Sequence, residues 1–373
     1  MVKLALVSEN ARDYGHELAK GVANFAQRRS DWTLELFNPT DVVSNRDVLH
    51  GIDGLISHVN DERTCRILRD LDIPIVNTFA KSITATDVSV DCDHAGIARI
   101  AAHHFLKRRF QNFAFCGFPG LPFSDPREHA FTDLVAANGH EPCVFRGKNL
   151  TNWVKRLPRK CAIFCANDVR AYQVIQTALS LERPVPSDLA VLGSDNDTII
   201  CAFSPVPISS IDPNARGVGF AAARLLDAAL KDPLAHKNRP VFFVKPTGLI
   251  ERASTSAYQI EPDWLGRLLL FIDDSLAENL SSADIVAKSG YSYPVVEKTF
   301  RKNFGETVAD YLLRIRMEKA EQLLSEGNLT SKEVAVRLGF RTPQHFCTVF
   351  RRHFGHTPTE HGKSLQDGCM TRK

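Results

Sequence analysis

The chain has 373 residues, too many for one ordinary domain and suited to two or three. It is 44% apolar and 24% charged, which excludes fibrous and low-complexity classes. The net charge of +3 does not by itself announce a nucleic-acid partner, so the placement of charge matters more than its sum.

The chain opens on Met1-Val2-Lys3-Leu4-Ala5-Leu6-Val7-Ser8-Glu9. Its apolar run is too short for a secretory signal and reads as a buried strand, so a cytoplasmic location is expected. No stretch of about 18 apolar residues offers a membrane helix, and no membrane partner is expected. Short apolar strands then alternate with amphipathic helices. The strand candidates are Leu4–Val7, Gly54–Ser57, Ile75–Asn77, Asn112–Cys116, Ala162–Cys165 and Ala190–Leu192. Helical stretches fall at Glu17–Arg28, Cys65–Leu71, His94–Lys107, Glu128–Ala137 and Arg170–Leu181. This alternation predicts parallel sheets covered on both faces, and six strands over some 200 residues imply two lobes. A small polar stretch, Ala253-Ser254-Thr255-Ser256-Ala257, reads as a linker, and from Trp264 onward the pattern is helix after helix. The expected organisation is a two-lobed α/β sensor over 1–252, a linker over 253–262, an all-α domain over 263–365 and a tail over 366–373.

Nine cysteines are scattered without zinc-ribbon spacing. Most sit in apolar runs, such as Phe115-Cys116 and Phe164-Cys165, and read as reduced, buried thiols. Cys116 and Cys165 both end strand candidates, where an amidotransferase-like α/β domain would carry its nucleophile. Neither is followed by a glycine-rich helix start with a downstream His–Glu dyad. Phosphate loops, dinucleotide glycine motifs and His/Cys metal spacings are also missing, so the expectation is a non-enzyme with no cofactor.

The all-α region contains an internal repeat. Asp284-Ile285-Val286-Ala287-Lys288-Ser289-Gly290-Tyr291 matches Glu333-Val334-Ala335-Val336-Arg337-Leu338-Gly339-Phe340. Phe300-Arg301-Lys302-Asn303-Phe304-Gly305 matches Phe350-Arg351-Arg352-His353-Phe354-Gly355. Each copy reads as helix, glycine-ended turn, helix. A hydroxyl and a proline start each second helix: Ser292 and Pro294, then Thr342 and Pro343. Apolar residues every four positions (Val296, Phe300, Phe304; Phe346, Phe350, Phe354) form a buried stripe. Lys298, Arg301, Lys302, Arg351 and Arg352 lie opposite, and residues 298–352 hold eleven Lys and Arg against six Asp and Glu. Such a helix can enter a major groove of double-stranded DNA, its cations on phosphates and its early side chains on base edges. The amphipathic stretch Val308–Leu324 would join the two copies.

This region resembles the AraC-type regulator domain, with the family signature running from Val334 through Pro358. The resemblance implies base readers Pro294, Glu297 and Lys298 in the first copy, and Gln344, His345 and Thr348 in the second. Pro294 departs from the pattern because it has little to donate. His361, Gly362 and Lys363 stand where the family carries an aromatic–Arg pair.

The N-terminal region resembles LacI-type, periplasmic-binding-protein-like sensors. The resemblance rests on Asp91 after a strand, Arg127-Glu128-His129-Ala130-Phe131 opening a helix, Ala166-Asn167-Asp168, and Leu192-Gly193-Ser194-Asp195-Asn196-Asp197. It implies ligand contacts from Asp91, Arg127, Asn167, Asp168 and Asp195, with Asn10, Tyr14, Phe118 and Phe123 as further lining. The chemistry agrees, since open α/β sheets bind ligands beyond strand C-termini. Carboxylates, a carboxamide and a guanidinium together match the hydroxyls of a sugar. The pairing of the two domain types is similar to regulators of bacterial xylose operons. That resemblance implies a homodimeric activator acting with RNA polymerase, with D-xylose as effector and another monosaccharide or small metabolite as the alternative.

Overall fold

A computed structural model describes residues 1–9, 12–79, 88–232, 241–276, 280–325 and 329–361. Asn10, Gly362, Lys363 and the expected tail lie outside the described residues. The chain divides into two compact units, Met1–Ser256 and Ala257–Lys373.

The first unit contains two six-stranded sheets. In chain order its elements are β1 (Val2–Ser8), α1 (Asp13–Ala26), β2 (Trp32–Phe37), α2 (Pro39–Ser44), β3 (Gly54–His58), α3 (Glu62–Arg69), β4 (Ile75–Asn77) and β5 (Val88–Cys92). There follow α4 (His94–Lys107), β6 (Asn112–Cys116), α5 (Ser124–Ala137), β7 (Cys143–Val144), α6 (Leu150–Arg156), β8 (Cys161–Cys165), α7 (Asp168–Ser180), β9 (Leu189–Ser194), α8 (Thr198–Phe203) and β10 (Ser209–Asp212). The unit ends with α9 (Ala215–Lys231), β11 (Phe242–Val244) and β12 (Gly248–Ile250).

The first lobe orders its strands β11-β5-β4-β3-β1-β2, all parallel. The second orders them β12-β10-β9-β8-β6-β7, parallel except for β12. Parallel strands covered on both faces read as continuous apolar runs, and β8 (Cys-Ala-Ile-Phe-Cys) is buried throughout. In the first lobe Ala5, Val7 and Leu55 pack toward Val42, Cys65 and Leu68, while Leu4 meets Leu226 across Gly54. Helices α1 and α9 cross in close contact because each turns a glycine toward the backbone of the other. A Cβ on Gly219 would stand 2.0 Å from the Leu18 carbonyl oxygen, and one on Gly21 would stand 2.0 Å from that of Arg216.

The chain crosses between lobes three times: from β5 into α4, from β10 into α9, and from β11 into β12. Asp93 N donates to Val244 O (2.8 Å), Thr247 N to Asp212 O (3.1 Å) and Asn214 Nδ2 to Lys245 O (3.1 Å). These bonds make the crossovers a three-stranded hinge.

The division between the two units falls within the expected linker 253–262, and the residues on either side of it are packed into their own units. Ser254 and Thr255 are fully buried against the second lobe. Ser254 Oγ donates to Val191 O (2.6 Å) and accepts from Ser209 N (2.8 Å), while Thr255 Oγ1 pairs with Ser209 Oγ (2.7 Å). On the other side of the boundary Tyr258 and Ile260 pack into the helical core. Small polar side chains that bury well with partners resemble, in a sequence, solvent-facing ones.

The second unit comprises α10 (Asp263–Asp274), α11 (Ser282–Ser289), α12 (Tyr293–Phe304), α13 (Val308–Ser325), α14 (Ser331–Arg337) and α15 (Pro343–Phe354). It has two hydrophobic cores. Val308, Tyr311, Leu312 and Ile315 of α13 join Ile285, Val296 and Phe300. Met317, Ala320, Leu323 and Leu324, further along the same helix, join Val334, Phe346 and Phe350. The helix α13 is thus the shared spine of two helix-turn-helix copies. The turn helices start with matching capping boxes, Ser281 with Asp284 and Thr330 with Glu333. Thr342 Oγ1 accepts from His345 N (3.1 Å) as expected, whereas Ser292 sits at the corresponding position with no side-chain cap.

Candidate functional site

A cleft of about 420 Å³ lies between the two lobes of the first unit. Its polar groups sit where the open-sheet rule puts them, just beyond strand C-termini. Asp91 is the second-to-last residue of β5, Asn167 follows β8 and Asp195 follows β9, while Arg127 reaches in from α5. Aromatic rings wall the cleft from both lobes. Tyr14 stacks on His58 at 4.8 Å, His58 meets Phe79 at 5.2 Å, Phe79 meets Phe123 at 6.4 Å, and Phe123 meets Phe118 at 6.1 Å.

Arg127 is only 2% exposed and is fixed by its neighbours. Its Nη1 donates to Ala166 O and, at 3.4 Å, to Asp195 Oδ1. Its Nε donates to His94 Nδ1 at 3.3 Å. Because Nε can only donate, His94 Nδ1 must accept, and the imidazole hydrogen then lies on Nε2, which faces Asp91 Oδ2 at 3.3 Å. Asp91 of the first lobe, His94 at the hinge and Arg127 of the second lobe therefore form one hydrogen-bonded line. Arg127 Nη2 also reaches Cys92 Sγ at 3.8 Å. Among the described residues, Asp91, Cys92 and His94 are the one group whose metal-ligand atoms fall within 4.8 Å, and the guanidinium bonded to two of them already supplies positive charge there.

Burial raises the Asp195 carboxyl to about 6 against the opposing pull of Arg127. Its backbone is strained, with φ at +114° for Asp195 and +50° for Asn196. The strain is held by Asn196 N donating to Ser210 Oγ (2.9 Å) and Arg252 Nη2 donating to Asn196 Oδ1 (2.8 Å). Strained backbone braced by buried partners is the usual mark of a site that must aim a side chain.

Of the five ligand residues expected from sequence, the cleft brings together four: Asp91, Arg127, Asn167 and Asp195. Asn167 spends its Oδ1 on capping α7 through Arg170 N (2.9 Å), which leaves its amide hydrogens for a ligand. Asp168 is placed otherwise. One residue further along, the first turn of α7 carries it inward, where it is 1% exposed and accepts from Ser210 Oγ (2.6 Å) and Asp197 N (2.8 Å). Burial, then Asp195, push its carboxyl well above the usual range. Tyr14, Phe118 and Phe123 line the cleft. His58, Phe79 and His94 also line it and were missed. His58 stands at the C-terminal end of β3, so the rule that found Asp91 would have found it. The strand-ending thiols Cys116 and Cys165 are buried, and burial raises Cys116 to about 12 and Cys165 well above its ordinary value, the behaviour of packing groups.

In the second unit α12 and α15 are each twelve residues long and align position for position, Val296 with Phe346 and Phe300 with Phe350. Gln344, His345, Thr348, Arg351 and Arg352 are all exposed on α15, as are Lys298, Arg301 and Lys302 on α12. Glu297 does not share that face. Its side chain is 14% exposed, pairs with Arg301 at 3.4 Å, and accepts from Val308 N at 3.2 Å, bracing the first turn of α13. Its partner in the repeat is the half-buried Cys347, whereas the partner of His345 is Val295. His361, the departure from the family pattern, pairs its Nδ1 with His356 Nε2 at 2.8 Å beside Phe350 and Phe354.

A hinged two-lobed α/β unit with a polar, aromatic-walled cleft and a unit with two basic recognition helices together define an effector-responsive, DNA-binding regulator. Residues 102–255 match the periplasmic binding protein-like domain family, and residues 285–364 match a helix-turn-helix domain family. The chain is a transcription regulator that joins a LacI-like sensor to an AraC-type DNA-binding domain. It is similar to the xylose operon regulatory protein of Escherichia coli (strain K12), 26% identical over 381 residues covering 96% of each chain. The regulator of the same name from Haemophilus influenzae is 23% identical over 380 residues, covering 96% of this chain and 97% of that one. A solved xylose-binding transcription activator, xylR, superposes with a TM-score of 0.59 at 25% identity, over 97% of this chain and 98% of that one.

Proposed function

We propose that this regulator senses D-xylose and, when loaded, activates sugar-catabolic genes as a homodimer on paired DNA half-sites. The observation that carries the reading is the cleft itself. Asp91 and Asp195 accept, Arg127 and the Asn167 amide donate, and aromatic rings offer flat apolar faces to the C–H faces of a sugar ring. The relatives named above supply xylose as the first sugar to test. Asp91, Arg127, Asn167 and Asp195 hold the sugar. Gln344, His345, Thr348 and Lys298 face bases, and Arg301, Lys302, Arg351 and Arg352 face phosphates. Sugar closes the lobes about the hinge, and the dimer then presents both DNA-binding units in the spacing that engages RNA polymerase productively.

The test is fluorescence anisotropy on the promoter flanking the gene, with and without D-xylose, alongside calorimetry over a monosaccharide panel. Tighter promoter binding with D-xylose, together with preference for it in the panel, is expected. A stronger heat and DNA response to another sugar would reject xylose as effector, and indifference of DNA binding to every sugar would reject sugar sensing.

A further inference from the structure

The two recognition helices carry the same scaffold and different chemistry at their tips. Alignment of the buried stripes places Pro294 opposite Gln344, Val295 opposite His345 and Lys298 opposite Thr348. In α15 the second and third helical residues offer an amide and an imidazole. In α12 the same two positions are apolar. Pro294 has neither an N–H nor a side-chain donor, and Val295 is 43% exposed with nothing polar to offer. Tyr293 before them is 54% exposed. This apolar tip continues into Lys298, Arg301 and Lys302, all exposed, so one helix face is apolar at its start and cationic beyond.

A partner for this face must pair a small apolar target with anions alongside. A duplex major groove does so, because the C5 methyl of thymine is its apolar group and phosphates form its rims. We infer that α12 reads thymine through Val295 and Pro294 packing on its methyl group, while α15 reads by hydrogen bonding. Glu297, turned inward against Val308, takes no part in base reading. The inference rests on the proposal that α12 lies in a major groove, and it adds the class of base that α12 selects there.

The experiment uses the full chain with D-xylose present to select a binding site from a random duplex pool. Each thymine of the selected site is then replaced singly by deoxyuridine, which removes only the methyl. Wild type should lose about fourfold in affinity at one or two thymines, the effect of uncovering one buried methyl. Val295→Ala should bind the thymine duplex with a similar loss and show no further loss on the uridine duplexes. Ala is a good helix former and the site is exposed, so folding is preserved. Lys302→Ala, at a phosphate-facing position of the same helix, serves as the separate control for groove placement, expected to weaken binding to every duplex and to flatten its salt dependence. If Lys302→Ala is silent, α12 is not on DNA and both readings fall. If Lys302→Ala weakens binding but no uridine substitution distinguishes wild type from Val295→Ala, α12 is on DNA and thymine reading through Val295 is overturned.

Discussion

Acidification should weaken effector binding through one group, Asp195. Its carboxyl stands at about 6 rather than the ordinary 3.8, because burial outweighs the favourable pull of Arg127 and Arg12 and the like charge of Asp197 adds to the rise. A sugar hydroxyl bonded to this group needs the ionised form as acceptor. With one proton competing, the dissociation constant should be flat above about pH 7, twice its plateau near pH 6, and about tenfold higher at pH 5. Stability moves the other way. The folded value lies above the unfolded one, so this group's contribution is fully present below about pH 4 and is lost as pH rises to about 6. A rise from 3.8 to about 6 corresponds to about 3 kcal/mol. Other carboxyls, such as Asp13, Glu17 and Asp188, are lowered and carry the opposite sign, so the comparison must be made against Asp195→Asn. Calorimetric titration of D-xylose from pH 5 to 8 on wild type and Asp195→Asn is the assay, with thermal melts of both in the absence of sugar. The variant should bind weakly with no step near pH 6. A wild-type affinity that stays constant from pH 7 to 5 while the protein remains folded would refute the assignment of Asp195 as an ionised acceptor.

Three further outcomes follow from the geometry. Asp13 of the first lobe accepts from both Thr198 N (2.7 Å) and Thr198 Oγ1 (2.6 Å) of the second, a clasp between the lobes at residues that do not line the cleft. Asp13→Ala should weaken sugar binding about fivefold by releasing the closed state, the effect of about 1 kcal/mol for hydrogen bonds to an exposed carboxylate, read by calorimetry. Gly219→Ala drives a methyl into the Leu18 carbonyl and should cost at least about 1–3 kcal/mol, lowering the melting temperature of the sensor by several degrees with the DNA-binding unit unaffected. Arg351→Ala should weaken DNA binding on all sequences and reduce the slope of log affinity against log salt by about one, read by anisotropy from low to physiological salt.

The elements that sequence exposed were those whose burial is uniform. Strands β1, β3, β4, β6, β8 and β9 sit mid-sheet and are apolar on both faces, so each appeared as a run. The strand β2 was hidden because Leu34 and Leu36 are half-exposed at the sheet edge and alternate with polar residues. The strand β10, Ser-Ser-Ile-Asp, was hidden because its serines are buried as hydrogen-bonding partners of Asp168, Thr255 and Asn196. The same chemistry disguised Ser254 and Thr255 as linker. Apolar periodicity detects burial that is driven by water exclusion and is blind to burial that is secured by hydrogen bonds.

The candidate sites show the same divide at finer scale. Asp91, Asn167 and Asp195 were legible because topology alone puts strand-end residues at the cleft. Asp168 lies one step past Asn167, and the change from the extended cap residue to the first helical residue turns its carboxylate from the cleft into the protein. On the DNA face, Glu297 looked like a reader because the AraC-type resemblance carried a base-reading role onto its position. It stands two positions past Val295, and that rotation of about 200° decides which of them meets solvent. The repeat held the correction in plain view. Aligning Phe300 with Phe350 sets Glu297 against Cys347, a residue that no reading gave to DNA, and sets Val295 against His345. A repeat therefore constrains more than fold. It assigns each exposed position an equivalent, and where the two copies differ in chemistry at equivalent positions, the difference belongs to what each helix touches.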